Sequence, residues 1–319
     1  MDFKKVGIDL EYYWDMFNNI EKVHLGDDVT IAMSAYGNYQ TTKYAIDAIF
    51  CSTQGDFELM LVNDCSPDDT LSLFLDTRDK YPHTKIISFD KNLEYSGSLN
   101  AILSHAAGDW ILFLSNDIFI TPAYLREIFH IARSNEEFGI VRGVSNFVDN
   151  GLETHNKAIP DTINDWKGLS QFAETISSAF SGQYLFDRFL TGDAFLISRR
   201  VLDTIGTLDP LFYGYFADHD IGIRTKIAGY KLVLAQRAFA LHMQSANFEY
   251  LPEREKQIKL ELRFMRVCEN WARFKLKYAL PIDQPYRGVA DIPWDQLSSV
   301  NFDIAKHYCR PGDYTKYFL

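Results

Sequence analysis

The residues with most chemistry in them stand where apolar runs stop. Trp110-Ile-Leu-Phe-Leu114 runs into Ser115, Asn116 and Asp117, and the chain turns apolar again at Ile118-Phe119-Ile120. A short continuous apolar run reads as a strand buried on both faces, the kind found inside a parallel sheet. Ending it on Asn-Asp sets a carboxylate at the strand's carboxyl end, where open α/β sheets bind ligands. An ordinary turn accounts for the same pair, because Asn and Asp both favour turns. The pattern recurs, however. Val29-Thr-Ile-Ala-Met33 opens into Ser34-Ala-Tyr-Gly-Asn38, and Phe57-Glu-Leu-Met-Leu-Val62 ends on Asn63-Asp64.

The elements that must carry these ends alternate. Helical spacing over Gln40 to Phe50, Ser96 to Ala107 and Thr121 to Ala132 separates strands at 29–33, 57–62, 84–89, 110–114 and 139–143. Such β-α-β alternation predicts right-handed crossovers and a mainly parallel sheet flanked by helices. The three strand ends then converge on one crevice. Ser66-Pro67-Asp68-Asp69 predicts a helix start, with Ser66 as cap and Pro67 in the first position.

From Ser145 to Leu190 no clean period holds, and so long an irregular stretch suggests a lid or binding loop. Order returns as a strand over Leu190–Ile197 and a short helix over Arg199–Ile205. Next come a helix over Asp218–Ala228 and strands over Tyr230–Leu234 and Ala238–His242. A long helix, 253–278, carries Ile258, Leu262, Met265, Trp271 and Phe274 among many Lys and Arg residues. Tyr12, Tyr13, Trp14 and Phe17 suggest a short helix near the start.

Composition narrows the class. The 319 residues are 47% hydrophobic and 24% charged, ordinary for a globular protein, and the net charge of -11 argues against nucleic acid as a partner. Cys51, Cys65, Cys268 and Cys309 form no CxxC pair, which fits a reducing compartment. There is no apolar stretch of signal-peptide type after Met1, and no run of spanning length. The expected location is cytoplasmic.

Taken in order, four pieces resemble the GT-A fold of the family 2 glycosyltransferases. They are Ser34-Ala-Tyr-Gly-Asn38, Val62-Asn-Asp-Cys-Ser-Pro-Asp-Asp-Thr70, Leu114-Ser-Asn-Asp117, and Phe216-Ala-Asp-His-Asp-Ile-Gly-Ile-Arg224 with His242. Asn92 to Asn100 resembles the family's segment before the metal strand, with Gly97 and Asn100 in matching places, and Thr191-Gly192 resembles the start of the acceptor half. The likeness runs from about Val29 to Phe248. It departs from the family at Asn63 (usually Asp), Glu94 (usually Gly) and Ala217 (usually an acid), and in having the single carboxylate Asp117 where many relatives have two.

The resemblance implies an inverting, metal-dependent transfer from a nucleotide-sugar. Asp117 and His242 are the expected ligands of Mn²⁺ or Mg²⁺, ions that need few protein contacts, and the imidazole suits Mn²⁺ better. Asp218 is the expected general base, on the face opposite the leaving group. Asp220 is a weaker candidate, and an acid favoured by the helix dipole explains either residue. Asn63 and Asp64 are expected to read the base, favouring uracil or thymine, and Ser34 and Tyr36 to hold the nucleoside. Gly97, Asn100 and Asn116 complete the donor set. Arg224 reads as a helix partner of Asp220.

The implied organisation is an N-terminal extension over 1–28, a nucleotide-sugar-binding half over 29–145, an acceptor half over 146–250, and a C-terminal helix and tail over 251–319. The acceptor is a glycan, a lipid-linked precursor or a protein side chain. The basic helix 253–278 reads better as a solvated face than as a contact with an anionic inner membrane surface. A nucleotidyltransferase is excluded because no Gly-rich, basic loop follows the first strand, and an NAD enzyme because GxGxxG is absent there. A non-catalytic nucleotide-sugar-binding module is the remaining rival. It would not need Asp117, Asp218 and His242 together.

Overall fold

A computed structural model describes residues 21–148, 153–160, 163, 165–179, 182–243, 252–286, 288–289, 292–297 and 303–319. The expected helix around Tyr12 to Phe17 lies outside them.

Strands β1 (Val23–His24) and β3 (Thr53–Gln54) form a small parallel ribbon. The main sheet is built from β2 (Val29–Ala35), β4 (Glu58–Asn63), β5 (Thr84–Ser88), β6 (Trp110–Ser115), β7 (Ile118–Phe119), β8 (Phe138–Ser145), β9 (Tyr184–Phe186), β10 (Ala194–Ser198) and β11 (Lys231–His242). Its order is β5-β4-β2-β6-β10-β8-β11-β7, with β9 on the flank of β11. β5, β4, β2 and β6 are parallel neighbours, and β8 and β11 are parallel to each other. β10 runs antiparallel between β6 and β8. The sheet is therefore mixed. Helices α1 (Tyr39–Ser52), α2 (Thr70–Lys80), α3 (Glu94–His105), α4 (Pro122–Ser134), α5 (Trp166–Ala179), α6 (Arg199–Ile205), α7 (Ala217–Ile227), α8 (Glu253–Lys277) and α9 (Trp294–Leu297) accompany it.

The expectation that Trp110–Leu114 is buried on both faces holds. Leu112 and Leu114 pack into one core layer with Ile31, Met33, Leu59 and Leu61. Ile111 and Phe113 pack into the other with Ala32, Met60 and Val62. With side chains alternating across the pleat, only a continuous apolar run can fill both layers.

Several elements differ from the sequence reading. Ser66 and Pro67 do not start a helix; α2 begins at Thr70 with Asp69 at the cap position. The Ser66 hydroxyl instead accepts from the Gly37 N–H and donates to the Ala35 carbonyl, tying two strand-end loops together. The strands expected at 230–234 and 238–242 are one strand with a register slip between Leu234 and Phe239. At the polar interruption Gln236 N–H finds the Gln183 carbonyl and Arg237 finds the Ile176 carbonyl, so the strand bulges and does not break. The stretch expected to be irregular contains α5. Its buried Trp166, Leu169 and Ala173 do keep helical spacing, diluted by Gly and Ser residues.

Candidate functional site

The strand-end crevice is real. Ala35 pairs with Asn63 and Ser34 with Ser115, so the carboxyl ends of β4, β2 and β6 lie side by side. Several residues at these ends hold the loops rather than face outward. Asn116 donates to Thr42 Oγ1 at 2.9 Å and to the Gly37 carbonyl at 3.4 Å. Asn63 donates to Ser88 Oγ at 2.9 Å and accepts from the Ser66 N–H at 3.1 Å. Tyr36 is 48% exposed, while Ser34 is half-buried in the strand.

Asp64 is buried, and its Oδ1 accepts from the Leu93 N–H at 2.6 Å. Burial pushes its carboxyl up to about 6, against the opposing hydrogen bonds from Leu93 and Ser98. Glu94 follows Leu93 with φ 58, a left-handed conformation that favours glycine. Its carboxylate pairs with Arg266 of α8. Gly97 allows the first turn of α3 to close, because a Cβ there would lie 2.4 Å from the Leu93 Cβ. Asn100 points elsewhere, donating to the Leu208 carbonyl at 3.4 Å and bonding to the tail residue Tyr314.

The antiparallel strand β10 brings the second half of the chain to this crevice. Ser115 N–H donates to the Asp193 carbonyl at 2.9 Å, setting Thr191-Gly192-Asp193 beside Ser115-Asn116-Asp117. Two strands farther along the same sheet, β11 ends on His242, whose Nε2 lies 3.3 Å from Asp117 Oδ2. The other ring nitrogen, Nδ1, is 3.0 Å from the Phe147 carbonyl and 4.0 Å from Asp193 Oδ2. Burial opposes the imidazolium, but Asp117 and Asp193 outweigh it and raise the ring to about 9.

This pair fits a divalent ion. A carbonyl can only accept, so Nδ1 donates to Phe147 and Nε2 is the ring nitrogen that faces Asp117; a metal ion entering between them would take the place of the Nε2 proton. One carboxylate and one imidazole leave positions for phosphate and water oxygens. Among the described residues no three His, Cys, Asp or Glu side chains cluster as a metal site, so any ion here takes its other ligands from elsewhere.

Asp218 sits in the first turn of α7, after Phe216 at φ 69, and Phe216 is buried against Trp271, Phe274 and Tyr286. A left-handed Phe costs about 1–3 kcal/mol, which the aromatic packing offsets. Asp218 Oδ2 accepts from the Gly192 N–H at 2.9 Å. It opens on a cavity of about 640 Å³ also lined by Tyr95, Ser115, Asp193, Tyr215 and Arg263. Asp220 is wholly buried elsewhere. It accepts from Arg224 Nε at 2.7 Å and the Tyr278 hydroxyl at 2.8 Å, and pairs with Lys277.

Sequence reading missed Asp193 and its buried ion pair with Arg142 at 2.9 Å, although Asp193 directly follows the quoted Thr191-Gly192. Arg263 and the strained Phe216 had no sequence signal of their own.

Residues 30–206 match the protein family described as "Glycosyl transferase family 2". The succinoglycan biosynthesis protein ExoO of Rhizobium meliloti (strain 1021) is 33% identical over 101 residues, 32% of this chain and 28% of that protein. The chain thus spans less than a third of that relative. An uncharacterized glycosyltransferase of Nostoc sp., alr2836, is 22% identical over 242 residues, 73% of this chain and 72% of that protein. Among solved structures, the mannosyltransferase PcManGT from Pyrobaculum calidifontis, in complex with GDP-Man and Mn²⁺, superposes with a TM-score of 0.50 at 14% identity over 77% of this chain and 68% of that one. GalNAc-T7 with UDP, GalNAc and Mn²⁺ gives 0.53 at 11% identity, over 67% and 42% of the two chains. At such identities the likeness is one of fold.

Proposed function

This chain belongs to glycosyl transferase family 2 and has the GT-A fold, and from there we propose that it moves a sugar, with inversion, from a nucleotide-sugar to an acceptor hydroxyl. UDP- or dTDP-sugars are the favoured donors, because the Asp64 carboxylate can accept from the ring N–H of uracil or thymine. The acceptor is a glycan, a lipid-linked precursor or a protein side chain.

The observation that carries this reading is Asp218 on the cavity wall, with Asp193 lining the same cavity and lying 4.0 Å from the His242 ring that faces Asp117. Asp193 thus links the cavity that Asp218 lines to the Asp117–His242 pair, which supports reading the three as base and metal ligands of one site. Asp218 takes the proton of the acceptor hydroxyl as that oxygen attacks the anomeric carbon. The bond from this carbon to the diphosphate oxygen breaks, and its electrons leave with the nucleoside diphosphate. Asp117 and His242 would hold Mn²⁺ or Mg²⁺, which when bound supplies positive charge to that leaving group. Gly192 orients the base through its N–H.

No helix among the described residues is long and apolar enough to cross a membrane. The four cysteines are free thiols, which supports the cytoplasm as the site of reaction. With a lipid-linked acceptor, α8 would meet the inner membrane face through its exposed Ile258, Leu262 and Met265.

The test is thermal stability against a panel of nucleotide-sugars, with and without Mn²⁺, on the wild type and Asp117→Ala. A metal-dependent shift with one donor, absent in the variant, is expected. Hydrolysis of that donor by the wild type but not by Asp218→Asn then tests the base. Tight donor binding without turnover would instead favour a nucleotide-sugar-binding module.

A further inference from the structure

His242 is held by its main chain as well as by its ring. Asn146, the first residue past β8, donates from Nδ2 to the His242 carbonyl at 3.0 Å and accepts the His242 N–H on Oδ1 at 2.7 Å. The next residue, Phe147, takes Nδ1 on its carbonyl at 3.0 Å, and its ring lies 5.9 Å from the imidazole. That carbonyl is itself fixed by the Ser145 hydroxyl, which donates to it at 2.6 Å. The Val148 N–H donates to Asn156 at 2.7 Å and closes the same corner. Residues 145–148 thus grip both ends of His242, at the point where β11 leaves the sheet.

We propose that Asn146 is a positioning residue for the metal site, acting only through His242. Its two amide bonds fix the backbone of His242 in the register that brings Nδ1 to the Phe147 carbonyl. With that bond made, Nε2 is the ring nitrogen left to meet a metal ion, and it faces Asp117 at 3.3 Å. Without it the ring is free to turn, and either nitrogen can carry the proton. Such outer partners of a metal-binding histidine typically contribute about 10–100-fold in metal affinity. The inference rests on the reading of Asp117 and His242 as metal ligands.

The experiment is titration of Mn²⁺ alone into metal-free full-length protein, read by the loss of the free Mn²⁺ paramagnetic resonance signal. It compares wild type, Asn146→Ala, His242→Ala, the double variant of these two, and Asp117→Ala. We expect Asn146→Ala to weaken Mn²⁺ by about 10-fold or more, and the double variant to be no weaker than His242→Ala alone. Asn146→Asp keeps the acceptor for the His242 N–H, loses the donor, and should fall between wild type and Asn146→Ala. It also serves if the alanine variant fails to fold. Additive losses in the double variant, or unchanged affinity in Asn146→Ala, would overturn the proposal. Loss of binding in Asp117→Ala with none in His242→Ala would overturn it while leaving the transferase reading intact. No Mn²⁺ uptake by the wild type would overturn the proposal together with the reading of Asp117 and His242 as metal ligands.

Discussion

Gly192 lies hydrogen-bonded against Asp218 with no room for a side chain of its own. The Gly192 N–H donates to Asp218 Oδ2 at 2.9 Å, and its carbonyl accepts from the Tyr95 hydroxyl at 3.0 Å. A Cβ on Gly192 would lie 1.9 Å from the Tyr95 oxygen and 3.0 Å from the Asp218 Cβ. Gly192→Ala should therefore push Asp218, the proposed base, off line. We expect a loss of sugar transfer of at least about 10²-fold, the cost of roughly 1 Å of misplacement. Binding of Mn²⁺ should persist, and kcat and the Mn²⁺ titration together check this.

Asp218 and Asp220 should separate cleanly. Asp218→Asn keeps the size of the side chain and should lower kcat by about 10²–10⁴-fold with little change in thermal midpoint. Asp220→Ala leaves Arg224 and Lys277 buried without their carboxylate and should destabilise by about 3–5 kcal/mol. Denaturant unfolding alongside kcat distinguishes them; the opposite pattern would exchange their roles.

Asp64 gives the pH dependence a sign. Its folded carboxyl titrates near 6, above the ordinary 3.8, so the fold prefers the neutral form. Stability should fall as pH rises from about 3.8 to 6 and then level off. Asp64→Asn should raise the thermal midpoint at pH 7. Nucleotide binding runs the other way, because accepting a base N–H needs the carboxylate. UDP affinity should drop about tenfold per unit below pH 6 in the wild type and stay flat in Asp64→Asn. Calorimetric titration of UDP from pH 5 to 8 checks both.

His242 should set the choice of ion. An imidazole ligand suits Mn²⁺ better than Mg²⁺, so His242→Ala should weaken Mn²⁺ more than Mg²⁺. Competition between the two ions in a donor-turnover assay reads the ratio directly. An unchanged ratio would remove His242 from the site.

Much of this was legible because strands buried on both faces leave no ambiguity: Trp110–Leu114, Val29–Met33 and Phe57–Val62 each had to lie inside a sheet. Thr121-Pro122 announced α4, and Thr121 does cap it by accepting from the Tyr124 N–H. Ser66-Pro67 carried the same signal and misled, because the Ser66 hydroxyl was drawn to the neighbouring loop at Gly37. Local propensity cannot see a partner 29 residues away. The antiparallel course of β10 was equally hidden, since alternating elements predict parallel strands and only the long path through 146–193 permits the return. That return brings Asp193 to Asp117's side of the crevice. The family resemblance implies a donor-binding role for Asn63, Asn100 and Asn116, and much of their hydrogen bonding here goes to loops and the tail.

The tail has a consequence for how the protein is made. Gly206 packs so closely on Cys309 that a Cβ there would lie 1.9 Å from the Cys309 carbonyl oxygen. Further on, Phe318 bridges Ile87, Leu319 N–H donates to the Ile86 carbonyl, and Arg78 reaches the Leu319 carbonyl at 2.9 Å. These contacts cover part of the outer edge of β5, which would otherwise invite another chain to add a strand. During folding the parallel strands can pair before the tail arrives, yet the rim at β5 stays sticky until residues 318 and 319 have docked on it. A chain whose tail is slow to dock would carry a nearly finished sheet with a raw margin, ready to pair with that of a neighbouring molecule.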